Sequence, residues 1–175
     1  MDVPLAVSSK RDVRRYTGRP LDGAVTERIL DAGRLAGSAR NRQPTRFLIP
    51  EGPALHMVAR AVYAPGNVLG AGLAVALVVS PGGGLVDFDA GRVAQNMMLA
   101  AWAEGVASCP NGVADREAMH AALGVDEPER VVVVISFGEP VPGRDPARRT
   151  PEEWSRRAHR LPLASLVQRV SEPRG

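Results

Sequence analysis

The most apolar helix candidate in the sequence runs from Asp89 to Gly105 and reads Asp-Ala-Gly-Arg-Val-Ala-Gln-Asn-Met-Met-Leu-Ala-Ala-Trp-Ala-Glu-Gly. Val93, Met97 and Ala100 recur at helical spacing, and other apolar residues cover a second side. A helix that is apolar on most sides lies in a core or at a subunit interface. We therefore predict that this helix is the spine of the molecule.

Strands are predicted on both sides of this helix in the chain. Leu73–Val79 and residues 130–137 are almost continuously apolar, which is typical of strands buried on both faces. A glycine-containing run at residues 80–84 ends the first of these strands. A shorter strand is predicted at residues 46–49, stopped by Pro50.

Four further helices follow from local signals. Their predicted ranges are residues 22–36 with Asp22 as N-cap, 53–62, 115–123, and 150–158 with a capping box. Residues 64–67 are predicted to form a turn, and residues 108–112 a tight link.

The length of 175 residues fits one domain, with 45% hydrophobic residues. The longest apolar runs are too short to span a bilayer, and no secretory signal is evident at the N-terminus. Cys109 is the only cysteine, so an intrachain disulfide is excluded, which fits a cytoplasmic location. The three histidines share no metal-binding spacing with Cys109 or each other, so no metal site is expected.

The net charge of +3 is unevenly distributed. Residues 10–46 carry a surplus of six positive charges, residues 47–143 a deficit of six, and residues 144–170 a surplus of four. The basic segments contain few aromatic residues, which disfavours a nucleic-acid binder. Nearly all of the cations are arginines, which suit phosphate or carboxylate recognition.

A polar link at residues 36–47 connects the helix predicted at residues 22–36 to the strand predicted at residues 46–49. Ser38, Asn41 and Gln43 lie there among three arginines, which favours a ligand with hydrogen-bonding edges and negative charge. A solvated surface loop is the alternative.

A second cationic cluster precedes it at residues 10–16. One helical turn would place Lys10 beside Arg14 and Arg11 beside Arg15, which calls for a bridging anion unless the cluster is a solvated face. No hydrolytic constellation is present, so the chemistry is expected to come from a bound cofactor.

From Arg160 an extended tail is predicted. Four of its apolar residues need a covering surface, for which a second subunit is one natural source: Leu161, Leu163, Leu166 and Val167.

Taken in order, four motifs make the chain resemble the FMN-dependent nitroreductase family over nearly its whole length. They are Lys10-Arg11-Asp12-Val13-Arg14-Arg15-Tyr16, Ser38-Ala39-Arg40-Asn41-Arg42-Gln43-Pro44, the central helix from Asp89 to Ala101, and Gly138-Glu139-Pro140 followed by Arg160-x-Pro162-Leu163.

The resemblance implies an α+β fold in three α/β/α layers, with a mainly antiparallel sheet flanked by helices. It implies one domain over residues 1–175, in an intertwined homodimer whose arm, about residues 144–175, packs on the partner subunit. FMN would lie at the interface, and the matching residues would bind it: Lys10, Arg11, Asp12, Arg14, Ser38, Asn41, Gln43, Pro110, Asn111, Gly112 and Arg160.

Within that set, Lys10, Arg11 and Arg14 with Arg160 would bind the phosphate. Ser38, Asn41 and Gln43 of the partner would reach the ribityl chain and the ring edge. Backbone N–H groups around Asn111 and Gly112 would face flavin N5 and O4.

The implied function is an oxidoreductase that passes electrons from NADH or NADPH through FMN to a small nitroaromatic, quinone or enone acceptor. Neither nucleic acid nor a membrane is expected as a partner. The alternative is an FMN-storing or redox-sensing protein without efficient turnover. It stays open because Asp12 stands where serine is usual, Thr45 where tryptophan is usual, and the stretch between the first two strands is short.

Overall fold

The computed structural model describes residues 1–81 and 84–171. The chain forms two compact units, each described by itself below. The central unit is Lys10–Asp145, and the terminal unit joins Met1–Ser9 to the described residues from Pro146 onward. A single domain over residues 1–175 stays a prediction, and part of the glycine run (residues 82 and 83) lies outside the described residues.

The central unit is built on a fully antiparallel sheet. Its strands are β1 (Thr45–Leu48), β2 (Leu73–Val79), β3 (Ala107–Asn111) and β4 (Arg130–Gly138), in the order β1-β2-β4-β3. Val75 lies opposite Ile135, and Cys109 lies opposite Ser136. β1 and β3 are therefore the two edges of this sheet.

The described helices are α1 (Val3–Ser9), α2 (Gly23–Arg34), α3 (Gly52–Arg60), α4 (Pro65–Leu69), α5 (Val86–Ala103), α6 (Arg116–Leu123), α7 (Pro151–Arg156) and α8 (Leu163–Leu166). Three of them, α2, α6 and α7, begin at a side-chain N-cap. The Asp22 carboxylate accepts the N–H groups of Ala24 and Val25 at 2.9 and 3.2 Å, as an N-cap does. Gly124 ends α6 in the left-handed conformation.

Buried side chains cover both faces of the sheet. On one face α3, α4 and α6 pack against alternate strand residues, with Val58, Met119 and Val134 fully buried. On the other face α2 and α5 pack against the intervening residues, with Ile29, Met97 and Phe137 fully buried. The predicted α+β fold, with helices on both sides of an antiparallel sheet, is confirmed.

The predicted spine corresponds to α5, which begins three residues earlier than expected, at Val86, and ends at Ala103. It contacts α2 along much of its length, and Met97 and Ala101 are completely buried. α5 is thus the central packing element of its layer.

Residues 10–16 are extended, so they do not form the helical turn that would pair Lys10 with Arg14 and Arg11 with Arg15. The helix lies just before them, at α1, and Asp12 and Tyr16 instead form β-bridges with Ser108 and Pro140. The Val13 N–H donates to the Ser108 carbonyl at 3.1 Å. These bridges satisfy the main chain and avoid stacking like charges on one helical turn.

The tight link predicted at residues 108–112 is also wrong, because Ala107–Asn111 forms β3. Pro110 lacks an N–H and suggests a turn, but an edge strand tolerates it. The turn predicted at residues 64–67 is instead the start of α4, since Pro65 occupies its first turn.

In the terminal unit, α1 packs against α7 and a 3-10 turn at Pro146–Arg148. The predicted capping box is present, with Thr150 and Glu153 bonded reciprocally. The Trp154 indole N–H donates to the Pro146 carbonyl at 2.8 Å. The tail is not uniformly extended, because α8 forms after Pro162, which acts as its N-cap.

Candidate functional site

The basic segment, residues 10–16, lies beside β3. Because the chain is extended there, residues two apart share a side, and Lys10, Asp12 and Arg14 all act electrostatically on the Cys109 thiol. The structure therefore brings these three predicted residues to the strand that carries Pro110 and Asn111.

Lys10 is held in place by two contacts. Its Nζ lies 2.5 Å from a carboxylate oxygen of Asp12 and 3.4 Å from Sδ of Met98 on α5, and its side chain is only 9% exposed. The Arg11 guanidinium donates to the Lys10 carbonyl at 2.7 Å. The cation that neutralises Asp12 is therefore Lys10.

Cys109 is a buried structural thiol. Burial raises its pKa, while Arg14 opposes the rise through its charge and a hydrogen bond. The thiol is therefore protonated at neutral pH and is not a nucleophile.

Asn111 is buried, and its side chain is fully engaged within the protein. Its Nδ2 lies 3.0 Å from the Cys109 carbonyl, 3.1 Å from the Val134 carbonyl and 3.1 Å from Oγ of Ser136. Its Oδ1 accepts from the Asn67 amide at 2.9 Å. The side chain fixes the main chain at residues 111 and 112 and leaves only backbone groups for a ligand.

Tyr16 extends this buried network. Its hydroxyl lies 2.5 Å from the Val13 carbonyl and 3.1 Å from Oγ of Ser136. Burial raises the pKa of Tyr16 to about 12. The phenol therefore stays neutral and joins the basic segment to β4.

The polar loop, residues 38–43, forms a second group. Oγ of Ser38 accepts the Gln43 N–H at 2.8 Å and closes the loop. Arg40, Asn41 and Gln43 have positive φ angles of 56°, 55° and 50°, which are strained for side chains other than glycine. The Ala39 N–H donates to the buried Asp89 carboxylate at 2.9 Å.

The loop borders a cavity of about 270 Å³. Its lining includes Gln43, Pro44, Ser80 and Asp89. A larger open groove of about 760 Å³ runs along α2 past Phe47 and contains none of the predicted site residues.

The basic segment and the polar loop contact different parts of α5. Lys10 contacts Met98, whereas Ala39 contacts Asp89. Those two α5 residues are nine positions apart, which is about 13.5 Å along the helix axis. The structure therefore brings the predicted residues into two groups.

Arg160 belongs to the terminal unit, where its side chain is exposed.

Over residues 1–81 and 84–171, no cluster of three or more histidine, cysteine or acidic side chains could hold a metal ion. In the same residues, none of the helices is both long and apolar enough to cross a membrane.

Sequence and structure comparisons give a consistent result. The sequence model of the Nitroreductase family matches residues 85–139. An Archaeoglobus fulgidus protein described as an NADH dehydrogenase/NAD(P)H nitroreductase is 29% identical over 151 residues, covering 79% of this chain and 86% of that protein.

Among solved structures, a nitroreductase from Desulfovibrio desulfuricans in complex with FMN aligns with a TM-score of 0.81 at 25% identity, covering 99% of this chain and 100% of that one. The chain is therefore similar to the nitroreductase family in both sequence and fold. A nitroreductase family protein from Clostridium difficile 630 has the same fold, with a TM-score of 0.79 at 22% identity over 96% of this chain and 98% of that one.

The match to the nitroreductase family includes α5, β3 and β4, which contact the basic segment or hold Asn111 and Ser136. Sequence reasoning missed Asn67 and Ser136 of that network. Ser136 had a detectable signal, because it is one polar residue within an otherwise apolar strand. Asn67 had none beyond its place in a predicted turn.

Proposed function

We propose that this chain is an FMN-dependent oxidoreductase that takes electrons from NADH or NADPH and gives them to a small organic acceptor. The observation that carries the proposal is the basic segment placed against β3, beside an Asn111–Gly112 main chain fixed by buried hydrogen bonds. Similarity to the Nitroreductase family over residues 85–139 and to the D. desulfuricans protein solved in complex with FMN supports it.

The residues present fit FMN. Lys10, Arg11 and Arg14 would hold the phosphate, because cationic side chains attract it and guanidinium groups bind its oxygens in pairs. The Ser108 hydroxyl next to this segment is buried and has no hydrogen-bond partner among the described residues, as expected of a polar atom beside a ligand.

The main chain at Asn111 and Gly112 would serve the reacting edge of the flavin. Backbone N–H groups there would stabilise negative charge on the ring, and the Asn111 side chain would keep them in place. When bound, FMN supplies the redox chemistry, accepting electrons from the nicotinamide and passing them to the acceptor.

A homodimer would complete the site. The polar loop contacts α5 about 13.5 Å along the axis from the basic segment, so Ser38, Asn41 and Gln43 would serve the flavin of the partner subunit. Exposed apolar residues of the terminal unit support a subunit interface: Val3, Val7, Leu161, Leu163, Leu166, Val167 and Val170.

One observation favours the alternative, a flavin-binding protein without efficient turnover. Asp12 takes up the charge of Lys10 and so reduces the positive charge beside the flavin. Less positive charge there would stabilise the reduced ring less and slow its reduction.

An absorbance spectrum of the purified protein with added FMN tests binding, and anaerobic mixing with NADH or NADPH tests reduction. We expect Arg14→Ala to weaken FMN binding about tenfold, the loss of one charge-assisted hydrogen bond, while the exposed Arg34→Ala leaves it unchanged. A colourless protein that binds no FMN would reject both functions. If FMN binds but neither NADH nor NADPH bleaches its absorbance, the protein is the flavin-binding alternative without efficient turnover.

A further inference from the structure

Tyr63 is a rigidly placed, solvent-exposed aromatic residue next to the predicted flavin edge. It follows α3, and 79% of its surface is exposed, more than any other exposed large hydrophobic residue of the described chain. Its N–H donates to the Gly112 carbonyl at 3.2 Å, and its neighbour Val62 forms a β-bridge with Val113. The main chain of Tyr63 is therefore fixed while its ring faces solvent.

The ring lies directly over Gly112. A Cβ atom at that position would lie 3.2 and 3.4 Å from Cδ2 and Cε2 of Tyr63. A side chain at residue 112 would therefore push the ring aside. The absence of one lets the aromatic ring lie against the main chain that the proposed function places at flavin N5.

Hydrogen bonds on the residues around Gly112 hold its main chain in place. The preceding residue, Asn111, is anchored by its buried side chain, and Ala114 and Asp115 donate their N–H groups to the Ala61 carbonyl at 2.8 and 3.2 Å. Tyr63 and Gly112 thus belong to two segments that are bonded together on both sides of the contact.

Of the large aromatic residues in the described part of the chain, Tyr63 and Phe88 are the exposed ones, and of these two Tyr63 lies against Gly112. The chain has seven in total, and Thr45 stands where the resemblance places tryptophan. Trp102 and Phe137 are buried in the central unit. Tyr63 itself lies between β1 and β2, just after α3.

We propose that Tyr63 is a specificity-determining residue whose ring contacts a planar, conjugated electron acceptor of the quinone or nitroaromatic class at the flavin edge. This proposal rests on the proposed function. Offset stacking on a tyrosine ring favours flat aromatic molecules over compact inorganic acceptors.

The test compares Tyr63→Ala and Tyr63→Phe in the FMN-loaded protein, with Met57→Ala as a control for removal of an exposed apolar side chain on α3. Steady-state rates are measured with 1,4-benzoquinone and with ferricyanide, which cannot stack. Binding of benzoate, which is not reduced, is followed by its perturbation of the flavin absorbance without any reductant.

We expect Tyr63→Ala to raise the KM for benzoquinone and the Kd for benzoate about fivefold. Tyr63→Phe and Met57→Ala should stay within about twofold, and the ferricyanide rate and FMN affinity should not change. Equal effects on benzoquinone and ferricyanide, or no effect on either, would overturn the proposal. So would loss of FMN or of the dimer in Tyr63→Ala, since Tyr63 would then belong to the cofactor site or the interface.

The two proposals fail in different ways. If the wild-type protein binds no FMN, the proposed function itself is wrong. If the wild-type protein binds FMN and is reduced by nicotinamide, but the Tyr63 variants behave like it, only the role of Tyr63 is wrong.

Discussion

Asp12 shows how backbone conformation changes the meaning of a charged residue. Its sequence neighbours are arginines, Arg11 among them. In the extended segment, Lys10 is two residues away on the same side and forms the ion pair at 2.5 Å. The negative charge of Asp12 is therefore neutralised within the segment, and the Lys10 ammonium group is engaged in that ion pair.

Tyr16 gives the protein a defined alkaline sensitivity. Burial raises the pKa of Tyr16 to about 12, above the ordinary 10.0 of an unfolded chain. Because the folded state favours the neutral phenol, the stability that this preference contributes is fully present below pH 10. It is lost as the pH rises from 10 to 12.

Urea unfolding between pH 9 and 12 checks this expectation. The free energy of unfolding of the wild-type protein should fall more steeply above pH 10 than that of Tyr16→Phe, which cannot ionise at this position. Absorbance at 295 nm should show one tyrosine ionising near pH 12 in the wild type and not in the variant. Identical pH profiles for the two proteins would contradict the assignment.

At the scale of elements, β3 depends on tertiary contacts more than on its own sequence. Its Pro110-Asn111-Gly112 end has turn-forming composition, yet pairing with β4 and the buried Asn111 amide keep it extended. Asn111 also reaches α4 through Asn67. One side chain therefore links two strands and a helix.

We expect Asn111→Ala to lower the free energy of unfolding by about 2–3 kcal/mol, because buried carbonyl groups and the Asn67 amide lose their partner. Asn96→Ala, at an exposed asparagine on α5, should change it by less than about 0.5 kcal/mol. Urea denaturation of both variants provides the measurement. A loss for Asn111→Ala no larger than for Asn96→Ala would mean that the network contributes little to stability.

At the scale of the whole molecule, the exposed apolar residues of the terminal unit support the proposed homodimer. Leu163 and Leu166 of α8 are 75% and 64% exposed. Replacing both by aspartate should yield a monomer and lose FMN, since charges cannot be buried in an apolar interface.

Light scattering during size-exclusion chromatography measures the molar mass, and the flavin absorbance recorded in the same run measures bound FMN. Leu35→Asp is the matched control, because Leu35 is a 64% exposed leucine of the central unit. A doubly substituted protein that stays dimeric and yellow would rule out α8 as part of the interface.

The sequence by itself determined the elements whose signals are local. The Asp22 cap, the capping box at Thr150 and the apolar periodicity of α5 each depend on residues within one or two turns, so they could be read without knowledge of the fold. The continuous apolar runs of β2 and β4 likewise predicted buried strands. The motif order then predicted the family, and with it the candidate site residues.

Only the tertiary structure decided what depends on distant partners. Residues 10–16 are extended because Ser108 and Pro140 lie beside them, and Ala107–Asn111 is a strand because β4 pairs with it. The partner of Asp12, the burial of Asn111 and the position of Tyr63 over Gly112 follow from those pairings. A contact between segments that lie tens of residues apart leaves no periodic trace in either segment, so local sequence patterns cannot reveal it.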